Sequence, residues 1–307
     1  MTHPAVIKRL VDDFVGRRPM RTTSLIVTIF GDVVSQHGDT IWLGSLVQAL
    51  APLGINERLV RTSVFRLVQE GWLESERVGR RSYYRFSPYG HHEYARAARR
   101  IYSLDGPGWN GRWQILIPQD LPEQQRERFR RSLYWQGYRT IASGTFAKPG
   151  KAGGGLQEIL EEFDAVDKVI VMEAEMPAIA SHQAIRKLVH ESWQLETVGN
   201  AYREFQKRYN PLFRWLPKNP QPEPATAFVA RTLLIHDYRR ILLQDTPLPE
   251  VLLPPGWPGV EALRTTGKAY QALAAQSVEY ITGELESGNG SMPEPNPDFW
   301  KRFATSP

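Results

Sequence analysis

Residues 58–69 combine two sets of side chains at helical spacing. One set is polar or aromatic and consists of Arg58, Arg61, Thr62, Phe65 and Gln69. The other set is apolar and consists of Val60, Val64, Leu67 and Val68. Because the two sets fall on opposite sides of one helix, the apolar side can be buried while the arginines stay in solvent. A planar guanidinium can clamp a phosphate or form two hydrogen bonds with guanine, so this helix is suited to entering a groove of a nucleic-acid duplex.

The residues before this helix predict another helix and a tight turn. The run LVQALAPLG, which follows Gly44 and Ser45, has a helical apolar pattern. Pro52 removes a hydrogen-bond donor and Gly54 accepts the dihedral angles of a reversal, so the first helix ends there. Asn56 is a good N-cap for the helix that follows.

The residues after this helix predict a basic hairpin. Residues 73–78 and 82–86 read as strands on either side of Gly79, and the run TIWL at residues 40–43 can pair with them. The basic and aromatic side chains of the hairpin are Arg77, Arg80, Arg81, Tyr83, Tyr84 and Arg85. Helix, turn, helix and hairpin in this order predict a winged helix-turn-helix, whose hairpin follows the backbone or the minor groove. The alternative is a helix and a hairpin that only carry solvated charges.

Charge and composition favour a basic module attached to a neutral body. Residues 1–105 hold 15 Lys and Arg against 10 Asp and Glu, whereas residues 106–307 hold 23 of each. Cysteine is absent, which excludes disulfides, thiolate metal sites and cysteine nucleophiles. No apolar run reaches the roughly 18 residues of a membrane span, and residues 1–14 lack the pattern of a secretory signal. We therefore expect a cytoplasmic protein.

The remaining patterns predict an α+β protein of several domains. The divisions are an N-terminal arm with a helix (1–20), a winged helix-turn-helix domain with a linker helix (21–105), a ferredoxin-like domain (109–177), a mostly helical C-terminal domain (178–288) and a flexible tail (289–307). The ferredoxin-like interpretation depends on alternating segments, namely strand 112–118, helix 121–137, strand 138–149, helix 156–163 and strand 168–176. Prolines such as Pro211 are expected to break the C-terminal helices. The Gly- and Pro-rich composition of the tail favours disorder.

Residues with catalytic or metal-binding character are few. Lys151 before Gly153 to Gly155 resembles a phosphate cradle, but the spacing of a P-loop is missing, so a flexible loop is favoured. The triplet HHE at residues 91–93 is consecutive and cannot share a helical face as metal ligands do at i and i+4. Asp120 follows a strand and could hold a metal ion, but no second acid lies beside it. We expect no enzymatic activity, no metal and no cofactor.

Large aromatic residues are concentrated after the winged helix. The tryptophans beyond residue 105 are Trp109, Trp113, Trp135, Trp193, Trp215, Trp257 and Trp300. Core or dimer-interface positions are the default for such residues. An aromatic effector that stacks on one or two of them is the alternative.

Four stretches resemble the PaaX family of repressors of phenylacetic acid degradation genes. They are LIVTIFGD, IWLGSLVQALAPLGINERLVRTSVFRLVQEGWLESERVGRRSYYRFS, WNGRWQIL and AFVARTLLIHDYRRILLQDTPLPEVLLPPGWPG. The resemblance covers nearly the whole chain in the family's order of segments. It implies a homodimer that binds a palindromic operator in double-stranded DNA and is released by phenylacetyl-CoA. It also implies a central dimerisation domain similar to the ferredoxin-like CRISPR adaptation nucleases, and a helical C-terminal domain.

The resemblance also carries residue roles onto this sequence. The start of the family's recognition helix is matched by Asn56, Glu57, Arg58, Arg61 and Thr62, and its wing by Gly79, Arg80, Arg81, Ser82 and Tyr83. The full set expected to bind DNA is Ser45, Asn56, Glu57, Arg58, Arg61, Thr62, Phe65, Arg66, Arg77, Arg80, Arg81, Ser82 and Tyr83. The residues expected at the effector site are Arg231, Tyr238, Arg239 and Arg240, because arginines suit the phosphates of an acyl-CoA. Packing between domains explains these four equally well.

The leading hypothesis is a dimeric, ligand-responsive transcriptional repressor. Two hypotheses of other classes remain open: a metal-dependent nuclease built on the central domain, with Asp120 at its site, and an RNA-binding protein without a regulatory role.

Overall fold

The chain folds into two compact units. The computed structural model describes residues 3–17, 22–103, 109–150, 154–175 and 182–304. The first unit comprises residues 1–104, 201–243 and 258–307. The second unit comprises residues 105–200 and 244–257. The domain boundaries predicted at residues 106–108 and at Pro177 fall outside the described residues.

Helices and strands are mixed, as the sequence predicts. The α-helices of the described residues are α1 (Ala5–Val15), α2 (Thr22–Asp32), α3 (Leu43–Leu50), α4 (Glu57–Gln69), α5 (Pro88–Ile101), α6 (Glu123–Trp135), α7 (Gly154–Glu162), α8 (His182–Ser192), α9 (Leu195–Trp215), α10 (Pro224–Leu242) and α11 (Pro258–Glu284). The strands are β1 (Ile41–Trp42), β2 (Leu73–Val78), β3 (Arg81–Phe86), β4 (Arg112–Pro118), β5 (Arg139–Ala142), β6 (Thr145–Pro149), β7 (Val169–Glu175), β8 (Glu286–Ser287) and β9 (Gly290–Ser291). Short 3₁₀ turns connect several of these elements.

The helix pair and the hairpin near the N-terminus form where the sequence predicts them. Gly54 lies between α3 and α4 with a left-handed φ of 73°, and the Asn56 side chain caps α4 by accepting a hydrogen bond from the Leu59 N–H at 2.9 Å. Strand β2 pairs with β3 in antiparallel register, and β1 pairs with the other edge of β3. The predicted pairing of TIWL with the hairpin is therefore confirmed.

Helices α2 and α10 form the centre of the first unit. Both are buried along most of their length, with Leu25 and Ile29 of α2 and Phe228 and Leu234 of α10 fully inside. A helix that is apolar on all sides is expected at the centre of a fold. Because α10 contacts α1, α2, α5 and α11, the segments that the sequence divides between a DNA-binding domain and a helical domain share one core here.

The described part of the predicted flexible tail packs against this core. Phe299 and Phe303 are buried, and a 3₁₀ turn spans Pro297–Lys301. Arg302 donates a hydrogen bond to the buried carboxylate of Asp32 at 2.9 Å. The composition of the segment suggests disorder, but two aromatic side chains and one ion pair hold residues 289–304 in place.

The second unit contains an antiparallel sheet of four strands in the order β5-β6-β4-β7. With helices α6 and α7 in the connections, this is the strand order of a ferredoxin-like fold. One core packs against the sheet and includes Leu116, Phe129, Leu133, Phe146 and Phe163. The predicted architecture of the central domain is confirmed by this topology.

Two local predictions are wrong. The segment predicted as one strand at residues 138–149 is a hairpin, in which β5 and β6 pair across a turn at Gly144 with a φ of 67°. Pro211 does not break the chain, since it lies inside α9.

Candidate nucleic-acid interface

Helix α4 has one buried and one exposed side. Val60, Val64 and Leu67 are buried in the first unit, as their spacing predicts. The residues on the exposed side are Glu57, Arg58, Arg61, Thr62, Phe65, Arg66 and Gln69. The Phe65 side chain is 66% exposed, whereas phenylalanine side chains are usually buried unless they contact a partner. The exposed side therefore offers hydrogen-bond donors together with one flat apolar group.

Two arginines of α4 are paired with carboxylates, one on the same helix and one on the residue that caps its C-terminus. Arg61 donates from Nε and Nη2 to Glu57 Oε1, at 2.8 and 2.6 Å. Arg66 donates from Nε to Glu70 at 2.7 Å. Both pairs have i and i+4 spacing and are exposed, so each contributes little to stability and can be exchanged for other anions.

Arg58 is the α4 arginine without such a carboxylate. Among the described residues, no acid lies within ion-pair distance of it, while its backbone carbonyl accepts a hydrogen bond from the Thr62 hydroxyl at 2.9 Å. Asn56 lies one residue before α4, and its side-chain oxygen accepts the hydrogen bond that caps the helix. Asn56 therefore has its amide group left for a ligand.

The β2–β3 hairpin adds further exposed guanidinium groups. Gly79 forms its tip with a φ of 61°, and Arg77 donates from Nε to the Gly79 carbonyl at 3.2 Å. Arg85 pairs with Glu74 across the hairpin at 3.2 Å. In the described part of the chain, neither Arg77 nor Arg80 has a carboxylate within ion-pair distance. We call the exposed arginines of α4 and the hairpin the arginine surface: Arg58, Arg61, Arg66, Arg77, Arg80, Arg81 and Arg85.

Arg81, a member of the arginine surface, contacts both an aromatic ring and a carboxylate. Its guanidinium lies over the Trp42 ring, 4.3 Å from the centroid, and pairs with the carboxylate of Glu286. Ser82, next along β3, is half-buried and pairs in register with Arg77.

Two residues of the predicted DNA-binding set are buried. Ser45 is 1% exposed, and its hydroxyl oxygen accepts a hydrogen bond from the Glu286 N–H at 2.9 Å. Tyr83 is 9% exposed, on the side of β3 that faces the core. Both side chains therefore present little surface to a ligand, which spacing alone does not reveal, and their role in DNA binding stays a prediction.

The residues expected at an effector site also lie inside the first unit. Arg231 has no exposed surface and donates from Nε to Asp32 Oδ2 at 3.1 Å. Tyr238 is buried against Phe205, and Arg240 is half-buried. Arg239 is 7% exposed and reaches the Thr28 hydroxyl at 3.5 Å. An acyl-CoA could reach Arg231, Tyr238 and Arg239 only if the core opened, and the effector site stays a prediction.

The other residues with catalytic or metal-binding character belong to no cluster of metal-binding side chains in the part of the chain that the structure describes. Asp120, His91 and His92 are exposed. The described residues contain no group of three His, Asp or Glu side chains that could hold a metal ion. Lys151 and Gly153 lie outside the described residues. Among the residues that the structure describes, no helix combines the length and the apolar character of a membrane span.

The tryptophans beyond residue 105 have different surroundings. Trp113 and Trp193 are buried and meet edge to face, with 6.0 Å between ring centroids. Trp257 is also buried, whereas Trp135 is 75% and Trp300 51% exposed. The default expectation of core positions therefore holds for only part of this set.

Family models and a named relative match most of this chain. Residues 21–90 match the family described as PaaX-like protein, residues 106–186 match the PaaX protein central Cas2-like domain, and residues 193–283 match the PaaX-like protein C-terminal domain. A protein of Escherichia coli (strain K12) named transcriptional repressor PaaX is 37% identical over 290 residues, which cover 94% of this chain and 92% of that protein. The solved structure of an uncharacterized protein, Rv0674, from Mycobacterium tuberculosis is 22% identical, with a TM-score of 0.49 over 76% of this chain and 88% of that chain.

The fold and these matches define a mixed helix-and-sheet protein with a central Cas2-like domain. The chain belongs to the PaaX family, because the three matched segments together span most of its length and follow the family's order.

Proposed function

We propose that this chain is a cytoplasmic transcriptional repressor of phenylacetate catabolic genes that binds DNA through a winged helix-turn-helix. In this proposal α4 enters the major groove, and the β2–β3 hairpin lies along the backbone. The observation that carries the proposal is the two-sided character of α4, whose buried Val60 and Val64 support an exposed side with Arg58 and Arg61. The name of the Escherichia coli relative supports the same function.

The second part of the proposal is a homodimer on a palindromic operator. A twofold protein reads two half-sites about one helical turn apart. We assign the dimer contact to the ferredoxin-like domain, and the edge strand β7 supports this assignment. Ile170, Val171 and Met172 of β7 are each more than 40% exposed, and an exposed apolar edge strand invites pairing with another chain.

The third part of the proposal is release by phenylacetyl-CoA. A ligand can release the operator only if it binds better to the conformation that cannot contact both half-sites. The burial of Arg231 and Arg239 argues against a phosphate contact at these two residues. We therefore propose that phenylacetyl-CoA releases the protein from its operator without assigning residues to the effector site. The test uses the wild-type chain only.

The experiment is a mobility-shift titration of the purified chain on the regulatory region of its neighbouring catabolic genes. We expect retardation at low salt, a molar mass of two chains by light scattering, and reversal of the shift by phenylacetyl-CoA but not by phenylacetate. If the chain bound other duplexes more tightly than this regulatory region, the proposal of a repressor would be contradicted. A shift that no acyl-CoA reverses would contradict only the effector part.

The same samples test the two other classes. Cleavage of the probe in Mg²⁺ that is lost in Asp120→Ala would favour a nuclease, although Asp120 is exposed and belongs to no group of three possible metal ligands among the described residues. Displacement of the duplex by structured RNA at lower concentration than by competitor DNA would favour an RNA-binding protein.

A further inference from the structure

The segment after α11 contacts the elements of the candidate nucleic-acid interface. Strands β8 and β9 form a small hairpin at residues 286–291. The Glu286 N–H donates to the buried Ser45 hydroxyl oxygen at the start of α3, and the Gly288 N–H donates to Thr40 Oγ1 at 3.3 Å, just before β1. These two hydrogen bonds hold the backbone of the segment beside β1 and the start of α3.

The Glu286 side chain extends from this fixed backbone to an arginine of the arginine surface. Its Oε2 accepts a hydrogen bond from Arg81 Nη1, while Trp42 covers one face of the same guanidinium. The two side chains are 49% and 41% exposed. Arg81 is thus held by an indole ring and a carboxylate, and its side chain also interacts with the Tyr83 side chain while remaining partly exposed to solvent.

A carboxylate and a phosphate bind a guanidinium by the same kind of charge-assisted hydrogen bond. Two anions that share one guanidinium repel each other. Since exposed ion pairs are weak, a DNA phosphate can displace or crowd Glu286, but only at a cost that a neutral residue at position 286 would not impose.

We propose that Glu286 is an intramolecular counter-charge that competes with DNA phosphate for Arg81 and thereby sets the affinity of the protein for duplex DNA. Glu286 is a positioning residue in this proposal, because it acts on DNA through Arg81. The inference rests on the proposed function, since it needs Arg81 to contact DNA. It adds a determinant of affinity that lies in the C-terminal part of the sequence, more than 200 residues from Arg81.

The chain offers a matched control two residues away. Glu284 has the same charge, but its Oε2 accepts a hydrogen bond from the uncharged side chain of Gln48 at 3.3 Å. Replacing either acid changes the net charge by the same amount. Only the Glu286 replacement frees an arginine.

The experiment measures binding of the full chain to a labelled duplex of arbitrary sequence and about 24 base pairs, because phosphate contacts do not depend on sequence. Affinity is determined by fluorescence anisotropy between about 50 and 200 mM salt. The variants are Glu286→Gln, Glu284→Gln, Arg81→Ala and the double variant Arg81→Ala/Glu286→Gln. Melting temperatures check that each variant is folded, and Glu286→Asp serves as a second, milder variant.

We expect Glu286→Gln to tighten binding roughly two- to fivefold, the range that exposed ion pairs contribute. The slope of log K against log salt should steepen by up to about 0.9, because one more cation is released for each phosphate neutralised. Arg81→Ala should weaken binding, and in that background Glu286→Gln should have no effect. Glu284→Gln should bind as the wild type does.

Three results would overturn the inference alone while duplex binding stays intact. They are a Glu286→Gln affinity equal to that of the wild type, an equal gain in Glu284→Gln, or a gain that persists without Arg81. Failure of the wild type to bind any duplex at the lowest salt would instead remove the proposed function itself.

Discussion

The arginine surface contains two kinds of guanidinium. Arg58, Arg77 and Arg80 have no carboxylate within ion-pair distance among the described residues, whereas the remaining members pair with Glu57, Glu70, Glu286 or Glu74. A phosphate that approaches an arginine of the first kind displaces solvent and counterions only. We therefore expect these three residues to contribute more binding free energy per phosphate contact than the arginines that are paired with carboxylates.

Arg58 and Arg80 are expected to differ in what they recognise. Replacing Arg58 by alanine should cost about 1 to 3 kcal/mol of operator binding and relax the preference for one base, because Arg58 lies in the first turn of the helix proposed to enter the groove. Replacing Arg80 should weaken binding to all sequences alike. It should also reduce the slope of log K against log salt by about 0.9, because one phosphate contact is lost. Anisotropy titrations on operator and non-operator duplexes distinguish the two patterns.

Arg264→Ala is the control for this pair of variants. Arg264 is exposed on α11 and bonded to Glu261, so its loss removes a surface charge away from α4 and the hairpin. If all three variants bind operator as the wild type does, the DNA-binding face has been assigned to the wrong side of the unit.

Among the elements, α4 and the hairpin could be predicted from sequence because their signals are local. The Asn56 cap, the turn at Gly54 and the periodic burial of Val60 and Val64 all lie within a few residues of the element they define. The exposed side of α4 follows directly from the same periodicity. The exposed residues of the candidate site can therefore be predicted from sequence where nearby residues determine which side of the element is buried.

The burial of Ser45 and Arg231 could not be predicted in this way. Ser45 is covered by a segment 241 residues further along the sequence, and Arg231 pairs with Asp32, 199 residues before it. No local pattern encodes such contacts. The hairpin at Gly144 is a different kind of error, because a glycine inside a run of strand residues is itself a turn signal.

The segment after β9 should contribute to stability as an ordered element. Phe303 packs between Tyr102 and Tyr270, with ring centroids 5.6 and 5.2 Å away, and is 2% exposed. We expect Phe303→Ala to lower the free energy of unfolding of the first unit by about 3 to 5 kcal/mol, because it leaves a cavity between two fixed rings. Urea unfolding followed by circular dichroism measures this loss.

Trp300→Ala provides the comparison for that variant. Trp300 is a larger aromatic residue in the same segment, but it is 51% exposed, so its removal should cost less than about 1 kcal/mol. Equal and small effects of the two substitutions would mean that the segment detaches readily from the unit.

At the scale of the whole molecule, the first unit buries several ionisable groups. Desolvation opposes the charge on Asp32, but Arg231 and Arg302 outweigh it and hold the pKa of this carboxyl below its usual value. The balance is the same at Asp237, where the hydrogen bonds and charge of Arg17 outweigh desolvation and lower the pKa. Both carboxylates are therefore ionised in the folded protein at neutral pH.

Two histidines of the same unit are buried without charge. Burial lowers the pKa of His236 to about 3 and the pKa of His37 to about 4. Nδ1 of His236 contacts the Thr28 hydroxyl, and Nδ1 of His37 donates to the Pro293 carbonyl. Protonation of either ring would place a charge in the core.

All four groups make the protein sensitive to acid in the same direction. Each has a lower pKa in the folded state than in the unfolded state, so on acidification the unfolded chain takes up protons first. Stability should change little between about pH 7 and pH 9, fall by up to about 1.4 kcal/mol per pH unit for each histidine below about pH 6.5, and fall further below about pH 4 as the carboxylates titrate. Urea midpoints measured across this range test the curve.

Replacement of one buried histidine should change that curve in a defined way. His236→Asn should remove part of the slope that the wild type shows between about pH 6 and pH 5. A slope that is identical in the variant and in the wild type would show that His236 takes up a proton in the folded state.

The ion pairs of Asp32 have a consequence for synthesis of the protein on the ribosome. The carboxylate buried in α2 needs a guanidinium that is translated as residue 302, some 270 positions later. A nascent chain that already contains α1 to α10 therefore carries an acid that its own core neutralises only through Arg231. Because α4, α10, α11 and Arg302 belong to one unit, this unit can be completed only when the ribosome has nearly finished the sequence.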